Sequence, residues 1–330
     1  MRRIFLILII FFQVLQSLAQ VETYYSLYRK KSFPELQDRL YEVKSGDPAK
    51  RVFGASVYAA FGNYDQARAL LSNLNEHQPL NDTLRFVRLS TELEIASRTK
   101  QYRKAADVAF SLLNNFRDWM PADGYEEEVQ ALKIHRIAQN VPAQSVRRTG
   151  DTRITMEKDR AGLMNIPVNI GDTTMNFVFD SGAGMSVISE KYAQKLNVKI
   201  LSDSTVQIKS GSTGDVTISR VGLAASLRIG NCELKNVLFL VFPDSALSFA
   251  GGKYEIRGII GFPVMAAMQE VTFAGPELFI PENPGRKEGG APMILYNNMP
   301  VIYLDYSGAK LPFTFDTGAN TSTLSNNFYD

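Results

Sequence analysis

Two seven-residue stretches of this chain repeat one pattern, and they decide which kind of fold it has. Residues 177–183 read FVFDSGA, and residues 313–319 read FTFDTGA. Each is followed at the same distance by a second short match, SVIS at 186–189 and STLS at 322–325. A single Asp-Ser/Thr-Gly triplet is a common surface turn, but two copies with the same flanks are hard to obtain by accident. The sequence therefore predicts two related β units, each with an aspartate at the end of an apolar strand.

Each repeat is the second arm of a β-hairpin. Apolar residues alternate at 164–170 and 175–179 around a Gly-Asp turn, and at 299–304 and 311–315 around a Ser-Gly turn. Further short strands are predicted at 206–208, 216–218, 223–229 and 237–242. Many short strands with few helical stretches indicate a barrel or a sandwich. We therefore expect an all-β lobe that carries the first repeat, followed by the start of a second such lobe.

Asp180 and Asp316 are the acidic residues of the two repeats. A pseudo-twofold relation between the units would bring their carboxylates together, and two like charges about 3 Å apart share one proton. The ionised member can then take a proton from a water molecule while the protonated member polarises a carbonyl group. This chemistry requires no metal ion, no cofactor and no covalent intermediate, and we expect none.

These motifs resemble those of aspartic peptidases of the retropepsin and pepsin type, most closely the bacterial, exported retropepsin-like proteins with a helical extension. The resemblance runs from about residue 160 to the end, and it includes GIIG at 258–261, which is similar to the element beneath the catalytic loop in this family. It implies that Asp180 and Asp316 are the catalytic pair and that the substrate is an extended peptide or protein. The other implied site residues are the loop-locking hydroxyls of Ser181 and Thr317, the close-approach glycines Gly182 and Gly318, and a flap turn of Gly211, Ser212, Thr213 and Gly214. This turn has no tyrosine, unlike the flap of pepsins.

Composition and charge are those of an ordinary globular protein. Of 330 residues, 45% are hydrophobic, and 36 Lys and Arg against 34 Asp and Glu give a net charge of +2. This balance gives no reason to expect a nucleic-acid partner. One cysteine and two histidines, His77 and His135, do not make a zinc site of the usual type. We expect both histidines to be solvated or to cap helices.

Residues 1–19 have the layout of a secretory signal peptide. Arg2 and Arg3 precede an apolar stretch over 4–15, and the small-residue exit SLA ends at Ala19. The apolar stretch is shorter than the roughly 20 residues that span a bilayer, which favours cleavage after about Ala19 over an uncleaved anchor. We therefore expect an exported protein, periplasmic or secreted, without a stable membrane anchor after cleavage.

Residues 22–141 have apolar positions at helical spacing. Two segments repeat with an offset of 38 residues, Tyr64-x-x-Ala67 and Tyr102-x-x-Ala105, each followed by apolar residues. The pattern resembles a tetratricopeptide repeat, which implies that this domain binds a partner protein or peptide. A plain helical bundle with accidental periodicity is the alternative.

The expected domain order is a helical domain at 22–141, a linker at 142–160, a first aspartic-protease lobe at 161–283 and the start of a second lobe at 291–330. Only 14 residues follow Asp316, whereas the first lobe continues for about 100 residues after its aspartate. We therefore expect an incomplete second lobe. Either the chain is a truncated form of a longer protein, or another chain supplies the missing strands.

Three functions fit this sequence. The first is an aspartic endopeptidase that activates water between Asp180 and Asp316. The second is a homodimeric retropepsin-like peptidase that pairs Asp180 of two chains. The third is a non-catalytic, exported peptide-binding or scaffold protein that works through its helical repeats. The presence of both aspartates favours the first function, because a binding protein needs neither.

Overall fold

A computed structural model describes the chain over residues 19–41, 47–74, 79–210, 214–285 and 290–324. A helical amino-terminal part is followed by a β-rich part, which confirms the broad division that the hydrophobic spacing predicts. No helix within these five ranges is long and apolar enough to cross a membrane. The predicted signal peptide lies outside the described residues except for Ala19.

Helices occupy most of the described chain up to residue 138. They are α1 (19–29), α2 (Phe33–Tyr41), α3 (Pro48–Ala60), α4 (Tyr64–Ser72), α5 (Asp82–Arg98), α6 (Tyr102–Asn115) and α7 (Ala122–Ala138), with α8 (Glu190–Lys195) and α9 (Phe262–Ala267) later in the chain. Side chains cap two of the starts. Asp47 accepts a hydrogen bond from the amide of Ala49 at 2.8 Å, and Asn81 accepts one from Leu84 at 2.9 Å. Such caps satisfy amide groups that have no partner inside the helix.

Two helix hairpins, α3–α4 and α5–α6, have the same turn at the predicted offset of 38 residues. Gly62 and Lys100 both have positive φ, at 77° and 58°. In both turns the next residue donates its amide to a carbonyl five residues earlier at 2.8 Å. Ala67 and Ala105 are completely buried, so the paired helices can approach closely. The recurring turn supports the repeat, and its assignment to the tetratricopeptide type stays a prediction.

Strands fill the rest of the described chain. They are β1 (Ser145–Arg148), β2 (Thr152–Thr155), β3 (Glu157–Lys158), β4 (Met164–Ile170), β5 (Thr173–Asp180), β6 (Ser186–Ser189), β7 (Lys199–Ile200), β8 (Val206–Lys209), β9 (Val216–Ile229), β10 (Cys232–Phe242), β11 (Ser248–Phe249), β12 (Tyr254–Glu255), β13 (Gly258–Gly261), β14 (Thr272–Ala274), β15 (Glu277–Ile280), β16 (Met293–Tyr296), β17 (Met299–Tyr306) and β18 (Ala309–Thr314). The hairpin of the first repeat, β4–β5, forms where the alternation predicts it.

One sheet closes into a barrel. Its order is β10-β6-β13-β5-β4-β9, and β9 pairs again with β10. Fully buried side chains such as Phe177, Phe179 and Phe239 fill its interior. The separate strands predicted at 216–218 and 223–229 are one continuous strand. Gly222 lies within this strand rather than in a turn. A Cβ atom at this position would come within 2.8 Å of the side chains of Val198 and Val241.

The stretch 142–160, predicted to be a linker, is instead part of the β-rich domain. β1 pairs with β10, β2 pairs with β15, and β3 pairs with β4. The guanidinium of Arg147 also forms an ion pair with Glu233 at 2.8 Å. These strands are short and mostly exposed, so their sequence lacks the apolar alternation that marks a strand.

The second repeat lies in a three-stranded antiparallel sheet, β16-β17-β18. Its apolar side chains Ile294, Val301 and Tyr303 are buried against helices α1 to α5. The hydroxyl of Tyr303 donates a hydrogen bond to the carbonyl of Lys31. The helical part therefore supports the strands that lead to Asp316.

The same helical part also packs against the barrel. Side chains of α6 and α7 share one buried cluster with barrel strands; its members include Tyr102, Ile134, Ala138, Val206, Val221 and Leu238. The helices thus contact both β units, which places the two repeats on a common support.

Candidate active site

Asp180 ends strand β5 at the edge of the barrel core. Phe177 and Phe179 point inward and are fully buried, whereas Asp180 is only partly buried. β13 runs parallel to this end of β5 and places Gly261 opposite Asp180. The apolar residues therefore anchor the strand, and the carboxylate is presented at its end.

The GIIG element passes directly beneath the Asp180 loop. A Cβ atom added to Gly261 would lie 2.6 Å from the carbonyl oxygen of Ala183, and a Cβ atom added to Gly258 would lie 2.5 Å from the ring of Phe177. The hydroxyl of Ser186 accepts a hydrogen bond from the amide of Gly261 at 3.1 Å. Because only glycine fits at both places, the sequence at 258–261 is required for this close packing.

Asp316 follows the hairpin β17–β18 in the same way that Asp180 follows β4–β5. The amide of Phe315 donates to the carbonyl of Pro300 at 2.9 Å, which holds the end of the hairpin. The two loops have the same internal bond. Gly182 donates its amide to Asp180 Oδ1 at 2.7 Å, and Gly318 donates its amide to Asp316 Oδ1 at 2.8 Å.

Four reciprocal hydrogen bonds lock the two loops to each other. The hydroxyl of Ser181 donates to the carbonyl of Phe315 at 2.7 Å and accepts from the amide of Thr317 at 3.0 Å. The hydroxyl of Thr317 donates to the carbonyl of Phe179 at 2.8 Å and accepts from the amide of Ser181 at 3.0 Å. Each hydroxyl thus donates one hydrogen bond to the opposite loop and accepts one from it. The four bonds are therefore related by pseudo-twofold symmetry.

The lock brings the two carboxyl groups into contact. A Cβ atom added to Gly182 would lie 2.4 Å from Cγ of Asp316, and a Cβ atom added to Gly318 would lie 2.5 Å from Cγ of Asp180. Burial, the neighbouring charge of Asp316 and a hydrogen bond with its carboxyl group raise the pKa of Asp180 to about 6. At mildly acidic pH, below about 6, a pair of this kind holds one proton between two carboxyl groups.

Only part of the predicted flap can be compared with the structure. Gly211, Ser212 and Thr213 lie outside the described residues. Gly214 has φ of 75°, and β8 and β9 on either side pair antiparallel from Val206 opposite Ser219 onward. A hairpin is therefore present at this place, and its role as a flap stays a prediction.

The hairpin β8–β9 contacts helix α7. The amide of Gln207 donates to the side chain of Gln130 at 3.0 Å, and the ammonium of Lys209 lies 3.5 Å from the carboxylate of Asp123. Helix α7 was expected to belong to a separate domain, so the sequence did not predict this contact.

Only one of the two histidines lies in the described part of the chain. His77 lies outside the described residues. We expected a solvated or helix-capping side chain at His135. It is instead half-buried on α7, with Nε2 3.1 Å from the hydroxyl of Ser97. Burial, and next the charge of Lys100, lower its pKa to about 4. Among the residues that the structure describes, no group of three or more His, Cys, Asp or Glu could hold a metal ion.

Sequence reasoning missed the polar turn at 159–163, which lies beside the second loop. The carboxylate of Asp159 accepts hydrogen bonds from the amides of Ala161 and Leu163 at 2.9 and 3.0 Å. Asn320 then donates a hydrogen bond to the carbonyl of Ala161 at 3.0 Å. The available signal is the Asp-x-x-Gly sequence at 159–162, just before β4, but half of it lies in the stretch predicted to be a linker.

Comparison with known proteins gives a family match and a likeness to solved structures. Residues 166–264 match the family model described as aspartyl protease, so this stretch, which contains Asp180 and the GIIG element, is similar to aspartyl proteases. Among solved structures the chain is similar to a retropepsin-like aspartic protease from Rickettsia conorii, with 19% identity and a TM-score of 0.31, over 42% of this chain and 92% of that one. No curated protein sequence matches the chain.

Proposed function

We propose that this protein is an aspartic endopeptidase that hydrolyses peptide bonds with a water molecule held between Asp180 and Asp316. The observation that carries the proposal is the set of four reciprocal hydrogen bonds between the two loops. These bonds hold the two carboxyl groups side by side, each just after a matching strand. The match of residues 166–264 to aspartyl proteases supports the same activity.

The shared proton provides both halves of the reaction. The ionised carboxylate removes a proton from water as it attacks the peptide carbonyl, while the protonated carboxyl group donates a hydrogen bond to the carbonyl oxygen. The resulting tetrahedral intermediate collapses when the leaving nitrogen accepts a proton from the pair. Gly182 and Gly318 leave room for this exchange, because a side chain at either position would overlap the opposite carboxyl group.

The lock also favours one chain over two as the source of the pair. Ser181 and Thr317 bond each other's loops within this chain, and a homodimer that pairs two copies of Asp180 would have to break these bonds. The substrate would bind as an extended strand by main-chain hydrogen bonds.

We further propose that the chain is exported and that the helical part can bind a partner protein. Sequencing the amino terminus of the mature protein tests the export and the cleavage after Ala19.

The test is cleavage of a mixed peptide library by the full chain and by Asp180→Asn. We expect the variant to lose about a thousandfold or more in rate, because an amide cannot take up the proton of the attacking water. Asp316→Asn should behave in the same way. Asp172→Asn is the matched control, since Asp172 is exposed at the turn of the same β-hairpin.

Full activity of a folded Asp180→Asn protein would refute the proposal. If neither form cleaves any peptide but both bind peptides equally well, the protein acts as a binding or scaffold protein instead. Circular dichroism of the variants separates lost chemistry from lost folding.

A further inference from the structure

An open cavity of about 470 Å³ lies beside strand β5, upstream of Asp180. Asn176 and Val178 of β5 line one side of it, and Arg257, immediately before the GIIG element, lines another. β13 continues from Arg257 and pairs with β5 so that Ile259 lies opposite Val178. The cavity is therefore built on the same two strands that position the carboxylate.

The position of the cavity relates it to a bound peptide. A strand rises about 3.3 Å per residue, so Val178 and Asn176 lie about 7 and 13 Å along β5 from Asp180. Alternate side chains share one face of a strand, and Phe177 and Phe179 take the opposite face in the barrel core. An extended peptide has the same rise per residue. A peptide that lay alongside β5 would therefore place at this cavity a side chain two to four residues from the bond at the aspartates.

Four basic side chains line the cavity without an acidic partner. They are Lys158, Arg160, Lys253 and Arg257. All four residues are exposed, and none of their side chains forms an ion pair or a side-chain hydrogen bond with the part of the chain that the structure describes. Their charges are thus available to a ligand.

The acidic groups of the cavity are already engaged. The carboxylate of Glu157 accepts a hydrogen bond from Asn176 at 3.3 Å. The carboxylate of Glu255 is turned towards the ammonium of Lys191 and the hydroxyl of Tyr192, at 3.3 and 3.4 Å. Glu255 is therefore paired with a cation outside the lining, whereas Glu157 keeps its charge and offsets one of the four basic groups.

Asp159 is the most fully bonded of the three acids. Besides the amides of its own turn, it accepts hydrogen bonds from Asn165 at 2.9 Å and from the hydroxyl of Tyr254 at 2.8 Å. Burial opposes ionisation, but these bonds outweigh it and lower the pKa of Asp159. The bond to Tyr254 joins the two rims of the cavity, and Asn320 ties the Asp159 turn to the Asp316 loop. The cavity is therefore held in a fixed relation to the carboxyl pair.

We propose that this cavity binds an acidic side chain of the substrate, so that the protein prefers peptides with Asp or Glu two to four residues from the cleaved bond. The inference rests on the proposed peptidase function. Its basis is the net positive charge of the lining: four cations without an ion-pair partner lie beside three carboxylates, a balance of +1 when all three are ionised, and one of these carboxylates is already paired with Lys191. A volume of about 470 Å³ accommodates one long side chain with water.

The test measures peptide binding without cleavage, with the full chain carrying Asp180→Asn. The probes are fluorescein-labelled decapeptides with a central Leu-Phe pair and either Glu or Gln two to four residues from it on either side. We expect at least one Glu peptide to bind about fivefold more tightly than its Gln counterpart, as for a partly exposed ion pair. Raising the salt concentration should reduce this ratio.

Two further variants in the same background locate the effect. Lys253→Gln combined with Arg257→Gln should bring the Glu-to-Gln ratio close to one. Lys195→Gln is the matched control and should keep the ratio, because Lys195 is an exposed cation on α8 that does not line the cavity. Circular dichroism checks that each variant is folded.

The possible failures are distinguishable. Equal binding of all Glu and Gln peptides overturns the cavity proposal, and so does a ratio that the double variant leaves unchanged. Displacement of the Glu peptide by inorganic phosphate beyond the effect of potassium chloride at equal ionic strength also overturns it, because the cavity would then be a small-anion site.

A Glu preference in binding, with no cleavage by the unmodified chain, would support the cavity proposal and refute the peptidase proposal. Cleavage without any acidic preference would do the reverse.

Discussion

Two hydroxyl groups control the geometry of the carboxyl pair. Neither Ser181 nor Thr317 is positioned to react, because both of their hydroxyls are used in bonds to the opposite loop. Each bond is worth only about 1 kcal/mol net, but four bonds with one symmetry axis leave the two loops a single relative position. The chemistry proposed for Asp180 and Asp316 therefore depends on groups that do not take part in it.

Thr317→Val tests this dependence at almost constant shape. The variant leaves the carbonyl of Phe179 and the amide of Ser181 without their partner, so we expect the free energy of unfolding to fall by about 1–3 kcal/mol. Peptidase activity should fall more steeply than stability, because the carboxyl groups lose their fixed separation. Urea denaturation and initial cleavage rates measure the two effects.

Thr317→Ser is the matched control, because it keeps the hydroxyl and removes only a methyl group. It should retain most of the activity and most of the stability. If the valine variant equals the unmodified protein in both measurements, the lock has no role in positioning.

At this scale the sequence predicts the residues but not all of their surroundings. The two repeats identify Asp180 and Asp316 because each aspartate carries its motif in neighbouring residues. The cavity beside β5 has no such local signal. Its basic residues come from two segments, 158–160 and 253–257. The hydrogen bond between Asp159 and Tyr254 joins these segments across 95 positions of sequence. Only the fold brings them together.

At the scale of elements, prediction succeeds where side-chain burial alternates. β4 and β5 alternate inward apolar and outward polar residues, so period-2 spacing marks them. β1 and β3 have mostly exposed side chains and gain their place through main-chain pairing with β10 and β4. Pairing of this kind depends on a partner strand, so a short polar strand resembles a linker in sequence.

The hairpin β17–β18 depends on one buried aromatic residue. Tyr303 is 3% exposed and packs against the helical part. We expect Tyr303→Ala to cost about 3–5 kcal/mol of unfolding free energy, as for other buried aromatic residues. Peptidase activity should fall as well, because the hairpin leads directly to Asp316. Urea denaturation, followed by intrinsic fluorescence, gives the stability.

Leu304→Ala is the control on the same strand, since Leu304 is 46% exposed. Its effect on stability should stay within about 0.5 kcal/mol. Tyr303→Phe keeps the apolar contact and loses only the bond to Lys31, so it should lie between the two. Equal effects of the two alanine variants would show that the helical part does not support this hairpin.

At the scale of the whole molecule, the helical part holds the two β units together. One of its apolar clusters includes Ile294 and Val301 of the second unit, and another includes Val206 and Val221 of the barrel. The helical spacing predicts the helices themselves, but not that their outer faces are covered by strands. A face buried between domains and a face buried within a bundle have the same apolar sequence.

His135 lies where α7 joins α5 and α6, and we expect it to make stability depend on pH. Its ring contacts Ser97 and Tyr102, its Nδ1 is buried without a hydrogen-bond partner in the described structure, and Lys100 is the nearby charge. An unfolded histidine has a pKa of about 6.5, whereas burial and Lys100 lower the folded pKa to about 4. Between these values the unfolded chain binds a proton that the folded chain does not, so this contribution to stability is lost as pH falls.

We expect His135 to lower the free energy of unfolding by about 2 kcal/mol between pH 7 and pH 5. Asp180 acts in the opposite direction, since its folded pKa is raised to about 6, so total stability alone does not isolate the histidine. The informative quantity is the difference between the unmodified chain and His135→Gln, measured by urea denaturation at both pH values. This difference should shift by about 2 kcal/mol in favour of the variant at pH 5, because glutamine does not titrate. A constant difference would mean that the ring takes up its proton in the folded state, and proton NMR of the His135 ring would then show it titrating near pH 6.5 rather than near pH 4.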